Sequence, residues 1–310
     1  MVAFAAYGPG WHFTGDLDVF LARAGGFFDS DPVAHTVLLS VTETLRSRGL
    51  GAYGGGAPLF GDLIAEGEGE GEGGGGSGEH GVVGAFVWTP PHAPHVSPVP
   101  AAAAAELAGH LRDQELAGVF AASPTAEAFA EAWAEGTGAA VAVSRQERLY
   151  RLETVTPPLP VPPGRARIAT RADRGLLMRW HSEFLRGLGE TTVRDSGAWV
   201  DSRLAYGGIT LWETPTGEGY GHGAYTAVAI AGRTPLVGGQ VRVGPVYTPP
   251  EQRGRGYARA VTTEVSRAGR AAGAAEVLLF ADLANPTSNG VYQRVGFRPV
   301  RDFAAYAFAA

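Results

Sequence analysis

The stretch with the clearest chemistry runs Val246-Tyr247-Thr248-Pro249-Pro250-Glu251-Gln252-Arg253-Gly254-Arg255-Gly256-Tyr257-Ala258 and leads directly into a helical pattern. On that helix Tyr257, Val261, Val265 and Ala268 share one face, which suits packing on a sheet. Gly254 and Gly256 carry no side chain, so the backbone there can approach a ligand and turn its N–H groups outward. Amides at a helix N-terminus have no intrahelical partner, and the helix dipole adds to their attraction for an anion. A pyrophosphate fits these donors. A second pattern follows the apolar run Val277-Leu278-Leu279-Phe280. There, Asn285-Pro286-Thr287-Ser288-Asn289-Gly290-Val291-Tyr292-Gln293-Arg294-Val295-Gly296-Phe297 predicts a short helix closed by Gly296 in a left-handed cap, with Asn285 and Tyr292 on one face.

The elements that must position these groups recur in both halves of the chain. In the first half, Asp31 and Pro32 predict the start of a helix running to about Arg48. Strands are expected at 58–64 and 82–88, flanking in hairpin fashion a segment of alternating Glu and Gly, Glu66 to Gly81, that reads as a disordered loop. Gly73, Gly75 and Gly78 match G-x-G-x-x-G, but the next element is a strand and not a helix, so no dinucleotide site is expected. A helix at 101–112, a strand at 116–121, a helix opened by Ser123 and Pro124, and strands at 141–143 and 148–154 complete this half. The second half predicts strands at 166–170, 208–213, 225–233 and 237–247, a helix at 255–272, a strand at 276–281, a helix at 287–295 and a strand at 301–308. Both halves read strand, strand, helix, strand, helix, strand, which suggests a duplicated architecture.

A chain of 310 residues is long for one ordinary domain and comfortable for two. The segment Pro157-Pro158-Leu159-Pro160-Val161-Pro162-Pro163 reads as a semi-rigid linker, dividing residues 1–156 from 164–310. No window approaches the apolar length of a membrane helix, and the first ten residues lack the charged start of a secretory signal, so the expected location is the cytoplasm. A net charge of −6 without a basic block offers nothing to nucleic acid. With no Cys there are no disulfides, no thiolate zinc sites and no acyl-cysteine intermediates. All 25 basic residues are Arg, which removes Schiff-base chemistry and the Walker lysine and is the expected mark of a GC-rich bacterial genome. No metal is expected: His92 and His95 sit among Pro90, Pro91 and Pro94 and read as loop residues.

The order of these parts is specific: strand, Arg253-x-x-Gly256-x-Ala258 and helix, then strand, Asn285, Tyr292 and Gly296-Phe297. It resembles the cofactor-binding core of the GNAT acetyltransferases, over about half the chain. The resemblance implies an α/β (α+β) fold of two GNAT-like domains in tandem, each a mixed, splayed sheet flanked by helices, the first degenerate. It also implies acetyl-CoA as co-substrate. The amides of Arg253, Gly254, Arg255, Gly256, Tyr257 and Ala258 would hold the pyrophosphate, and backbone groups of Val246, Tyr247 and Thr248 the acetyl and pantetheine portions. Asn285 would contact CoA, and Tyr292 would be the acid for the departing thiolate. The alternative reading of Tyr292 is a core tyrosine bonded to a carbonyl.

The implied reaction is acetyl transfer to a primary amine by direct attack in a ternary complex. An amine with a pKa of about 10.4 is roughly one part in a thousand neutral at pH 7, a cost of roughly 4–5 kcal/mol that the site must help supply. A backbone N–H near Tyr247 would stabilise the oxyanion, and Gly244-Pro245 marks a bulge or edge where the family splays its sheet. Many relatives place a Glu on this strand, yet 240–247 contains no carboxylate. Glu213, Glu183, Asp282, His222 or a water chain are the candidates for the base, and Asp282 sits where Asp commonly bonds local backbone. The missing carboxylate also leaves open a non-catalytic acyl-CoA-binding sensor or scaffold, or a different acyl group. Trp180, Phe184, Trp212, Tyr220 and Tyr225 are candidates to line the acceptor site. In the first half, Ser97-Pro98-Val99-Pro100-Ala101 occupies the place of the glycine loop without Gly or Arg, so this half is not expected to bind CoA.

Overall fold

A computed structural model of the chain describes residues 9–65, 81–188, 195–216 and 224–309. In chain order its elements are β1 (Gly10–Thr14), α1 (Leu17–Ser30), α2 (Thr36–Arg48), β2 (Leu59–Ile64), β3 (Val82–Trp88), β4 (His95–Val96), α3 (Ala101–Leu111), β5 (Gly118–Ala122), α4 (Ser123–Thr137) and β6 (Ala140–Leu152). There follow β7 (Arg165–Ile168), α5 (Arg174–Gly187), α6 (Ser196–Leu204), β8 (Ile209–Pro215), β9 (Tyr225–Arg233), β10 (Gln240–Tyr247), α7 (Tyr257–Ala271), β11 (Glu276–Asp282), α8 (Pro286–Val295) and β12 (Phe297–Ala309). The fold is a mixed α/β one with sheets flanked by helices, and no helix among the described residues is long and apolar enough to cross a membrane.

The chain divides into two compact units, residues 1–147 with 301–310, and residues 148–300. In the first unit the strands lie in the order β1-β2-β3-β4-β5-β12. Neighbours are antiparallel except for the parallel pair β4 and β5. In the second unit β7, β8, β9 and β10 are successive antiparallel neighbours, β10 and β11 are parallel, and β6 lies on the far side of β11. Each unit thus repeats one order of elements: a strand, two helices, three strands, a helix, a strand and a helix. The segment 157–163, expected as a linker, lies within the second unit. There Pro158 and Pro162 are buried, Pro157 O accepts from Arg259 at 3.0 Å and Pro163 O from Trp212 Nε1 at 3.1 Å.

Local chemistry explains most boundaries. Asp16 caps α1 by accepting from the amides of Asp18 and Val19, and Asp195 does the same for α6 with Gly197 and Ala198. On α5, Leu177, Trp180, His181 and Leu185 are buried at helical spacing, Leu177 and Trp180 packing on strand residues and His181 stacking on Trp199 of α6. Asp31 bonds the amide of Ala34 at 3.0 Å and so holds a turn, and the helix expected from Asp31 begins only at Thr36. The strands expected at 141–143 and 148–154 are one strand, β6, and β12 begins at Phe297 instead of 301. β10 starts at Gln240 and not 237 because Gly238 and Gly239, at φ +54° and +69°, turn the chain tightly before it. The Glu/Gly segment 66–80, with Gly73, Gly75 and Gly78, lies outside the described residues, as do Tyr220 and His222.

The second unit has apolar clusters on both faces of its sheet. One joins Tyr257, Val261 and Val265 of α7 to Val241 and Val243 of β10, Val277 and Leu279 of β11 and Phe297. The other joins Leu177 and Trp180 of α5 and Val200 of α6 to Ile209, Leu211, Ile230 and Tyr247.

Candidate cofactor and active site

The site begins where two strands part. β10 pairs with β11 from Gln240 opposite Glu276 to Val243 opposite Leu279, and the pairing stops there although β10 continues to Tyr247. Past Val243 the strand keeps only its β9 partner, with a register shift that sets Val243 to Val246 against Arg233 to Ala231. One extra residue is therefore inserted, at Gly244 and Pro245. Pro245 has no N–H to give a ladder, and Gly244 adopts φ +152°, a conformation that side chains disfavour.

This bulge re-aims everything after it. Along a regular strand Val241, Val243 and Tyr247 would share a face. Instead Val246 packs against the α7 cluster, and Tyr247 turns to the face covered by α5 and α6. There its hydroxyl donates to Glu183 Oε2 at 2.8 Å, and its ring lies 6.1 Å from that of Trp180. Burial, reinforced by the Glu183 carboxylate, pushes the Tyr247 phenol up to about 12.

After β10 the chain passes Thr248 and a single turn of 3-10 helix, Pro250–Gln252, into the glycine loop. Arg253 Nε donates to Thr248 O at 3.0 Å and an Arg255 guanidinium N–H donates to Glu251 O at 3.3 Å, so both side chains brace the loop's own backbone. Gly254 and Gly256 are exposed and left-handed, at φ +76° and +82°. Gly256 is also the N-cap of α7, and no side chain caps that helix. The first intrahelical bond there runs from Ala260 N–H to Gly256 O at 3.1 Å, so the amides of Tyr257, Ala258 and Arg259 precede the ladder. The Tyr257 side chain itself is buried in the core, leaving its N–H as the group it can offer a ligand. At the mouth of the loop the Thr248 Oγ1 is buried and has no hydrogen-bond partner among the described residues.

The second pattern forms α8. Asn285 is its N-cap, accepting from Ser288 N–H at 3.0 Å, and the residue is exposed. Asn289, which spacing did not single out, ties the helix down. It donates to the carbonyls of Asp282 and Asn285 at 2.8 Å and accepts from the buried Tyr150 hydroxyl at 2.8 Å. Tyr292 is half-buried against the α7 cluster with its ring edge-on to Phe297, and its hydroxyl makes no hydrogen bond among the described residues. Burial pushes that phenol up to about 12, so it stays protonated at neutral pH. Gly296, at φ +111°, closes the helix so near to the Thr154 carbonyl that a Cβ there would overlap it.

The carboxylate candidates separate by their partners. Glu213 is buried and held by Arg167 at 2.8 Å and Arg165 at 3.4 Å, an ion-pair role. Asp282 Oδ1 accepts from Ala284 N–H at 2.8 Å, a turn role. Glu183 is half-buried on α5 and accepts from Tyr247. Of the aromatics, Trp180 and Phe184 lie on the Tyr247 face, Trp212 belongs to the opposite cluster, and Tyr225 is exposed beneath the Arg165 guanidinium at 3.9 Å. His92 bonds Tyr53 O at 3.1 Å and His95, expected in a loop, opens β4 edge-on to Phe120. No group of three or more metal-ligating side chains occurs among the described residues.

Residues 218–305 match the family described as FR47-like protein. No curated protein matches the sequence. Among solved structures, a Drosophila protein aligns with TM-score 0.62 at 12% identity, covering 97% of this chain and 99% of its own. A GNAT-family acetyltransferase from Colwellia psychrerythraea aligns with TM-score 0.52 at 12% identity over 96% of this chain and 98% of its own. A GCN5-related N-acetyltransferase from Sphaerobacter thermophilus aligns with TM-score 0.53 at 16% identity over 96% and 94%. At such identities the likeness is one of fold. Together with the splayed pair β10 and β11 and the glycine loop that follows, it gives the C-terminal half of this chain a GNAT-like fold.

Proposed function

We propose that the second unit binds acetyl-CoA and transfers its acetyl group to a primary amine in a ternary complex. The observation that carries this reading is the end of the β10–β11 pairing at Val243 and Leu279, immediately before an exposed loop whose amides are uncapped at the start of α7. An extended thioester placed along the β10 edge would complete the ladder that β11 abandons, its carbonyl meeting the backbone near Tyr247. Its pyrophosphate would lie on the amides of Gly254 to Ala258. The fit has independent support in the orphaned Thr248 Oγ1, a buried polar atom that a ligand hydroxyl or amide would satisfy. Asn285 keeps its amide N–H₂ available, since only its oxygen is used in capping.

In this reading attack of the amine forms the C–N bond, and collapse of the tetrahedral intermediate breaks the C–S bond. Tyr292, protonated and without a competing hydrogen bond among the described residues, donates to the departing sulfur. Its raised pKa makes it a weak acid, so the assistance is modest. Calorimetry of the full chain with acetyl-CoA tests the reading: one site per chain in the micromolar range is expected, weakened at least about 100-fold by Gly254→Glu. Absence of binding by the wild-type chain, or unchanged binding by Gly254→Glu, overturns it.

A further inference from the structure

β10 carries no carboxylate of its own, yet the structure brings one to it from another element. Tyr247 lies 64 residues from Glu183 in sequence, and the bulge at Gly244 and Pro245 turns its side chain to the α5 face, where the two meet at 2.8 Å. Glu183 lies on α5, half-exposed, and Trp180 and Phe184 of the same helix belong to the cluster that holds Tyr247. Glu213 and Asp282 are each committed to partners of their own. We infer that Glu183 is the general base for the acceptor amine, held in place by Tyr247 acting as a positioning residue. The inference rests on the acetyl-transfer reading above and adds to it the residue that deprotonates the acceptor.

The geometry suits the task. Tyr247 occupies one oxygen of the carboxylate, leaving the other for an ammonium group, and the half-exposed position lets a captured proton leave to water. The charged groups nearby are few. Arg253 and Glu251, on the loop after β10, act on Tyr247 with opposite signs. From α6, Ser196 and Trp199 face His181 of α5, and Asp201 is bound to Arg174 at 2.7 Å. On α5 itself Arg179 and Arg186 flank the glutamate in sequence. In the proposed step the ammonium gives one proton to Glu183 and the neutral amine attacks the thioester. The second N–H proton offsets the one that Tyr292 gives to sulfur. The products are the amide, the CoA thiol and one proton passed from Glu183 to solvent. Trp180 and Phe184, which share the apolar cluster of Tyr247, fit an amine on an aromatic or alkyl chain.

The test is CoA release from acetyl-CoA between pH 6 and 9.5, with phenethylamine as the probe acceptor and water alone as the second acceptor, for wild type, Glu183→Gln, Glu183→Asp and Tyr247→Phe. Acetyl-CoA affinity is measured in parallel by calorimetry. Glu183→Gln is expected to lower turnover about 100-fold at pH 7, with the deficit shrinking as pH rises and the amine loses its own proton. Glu183→Asp should recover part of the rate, Tyr247→Phe should lose about 10-fold by loosening the carboxylate, and acetyl-CoA affinity should stay unchanged in all of them. A pH-independent loss in Glu183→Gln, or no loss, overturns Glu183 as the base and leaves the acetyl-transfer reading standing. A wild type that binds acetyl-CoA but releases no CoA above buffer with either acceptor also overturns the base. A wild type that does not bind acetyl-CoA removes both inferences together.

Discussion

The two units follow one order of elements, but they differ at the loop where a strand hands over to a helix across the parallel pair. In the second unit Gly254 to Gly256 stand exposed with their backbone turned outward. In the first unit the same place is Ser97 to Pro100, and its donors are spent within the protein. Ser97 N–H donates to Ala85 O at 2.8 Å, Ala85 N–H donates to Ser97 Oγ at 2.9 Å, and Val99 N–H donates to Thr125 Oγ1 at 3.2 Å. Pro98 and Pro100 have none to give. Both following helices start without a side-chain cap, α3 at Pro100 and α7 at Gly256. A helix N-terminus is therefore common to both units. What distinguishes them is whether the loop before it adds free amides and lets a ligand come close.

That contrast can be broken in four ways, taken from the strongest effect to the weakest. Gly254→Glu sets an anion beside the proposed phosphates, and at about 5 Å with an effective dielectric of about 20 the repulsion is roughly 3 kcal/mol, so acetyl-CoA affinity should fall at least about 100-fold. Unchanged affinity would remove the phosphates from this loop. Tyr292→Phe should reduce CoA release about 100-fold, near the low end for general acid catalysis, with affinity retained. Coincident rates for the two proteins would make Tyr292 a packing residue.

The third test is acid unfolding. Asp173 is held at about 2 by its hydrogen bonds to Arg167, below the ordinary carboxylate value. A depressed folded pKa stabilises the protein above the unfolded pKa and loses that effect as pH falls through the folded one. Roughly 2 kcal/mol should therefore disappear between about pH 4 and pH 2. Asp173→Asn should flatten this limb in chemical denaturation, and an unchanged limb would refute the assignment. Asp62 of the first unit has the opposite sign, since burial holds its carboxyl above the usual range despite Arg23 at 2.6 Å. Last, Ser97→Ala removes the acceptor for Ala85 N–H and should cost about 1–2 kcal/mol in denaturant titrations without altering acetyl-CoA affinity. A change in affinity would bring the first unit into the site.

The parts readable from sequence were those encoded by neighbours in the chain. The glycine loop, the capped helix from Pro286 to Val295 and strand β9 depend on local residue types, and the structure has them at or within two residues of the expected bounds. The helices α1, α5 and α6 and the short strands β1 and β4 were not foreseen, though Leu177, Trp180, His181 and Leu185 carry a helical period. α6 spans 9 residues and β4 only 2, too few for periodicity to separate from chance. The meeting of Tyr247 with Glu183 was illegible for a different reason. Gly244-Pro245 marks a bulge or edge in the sequence, but that one residue is inserted there, reversing the face that strict alternation from Val243 gives Tyr247, shows only in the register with β9. Asn289 escaped notice because its partners, Tyr150 and Asp282, come from elements distant in sequence or ahead of the helix.

The strand β12 carries a consequence for how the protein is made. Phe303 to Ala307 pair with β5, Phe303 stacks on Phe120, and Phe308 stacks on Phe129 and Trp133, all within the first unit. The first unit is thus discontinuous in the chain, and on the ribosome it cannot finish folding until all of residues 148–300 have been synthesised. During that interval β5 presents a bare edge and an uncovered aromatic cluster, the kind of surface that recruits chaperones or pairs with neighbouring chains. The N-terminal part of this protein emerges first and is completed last.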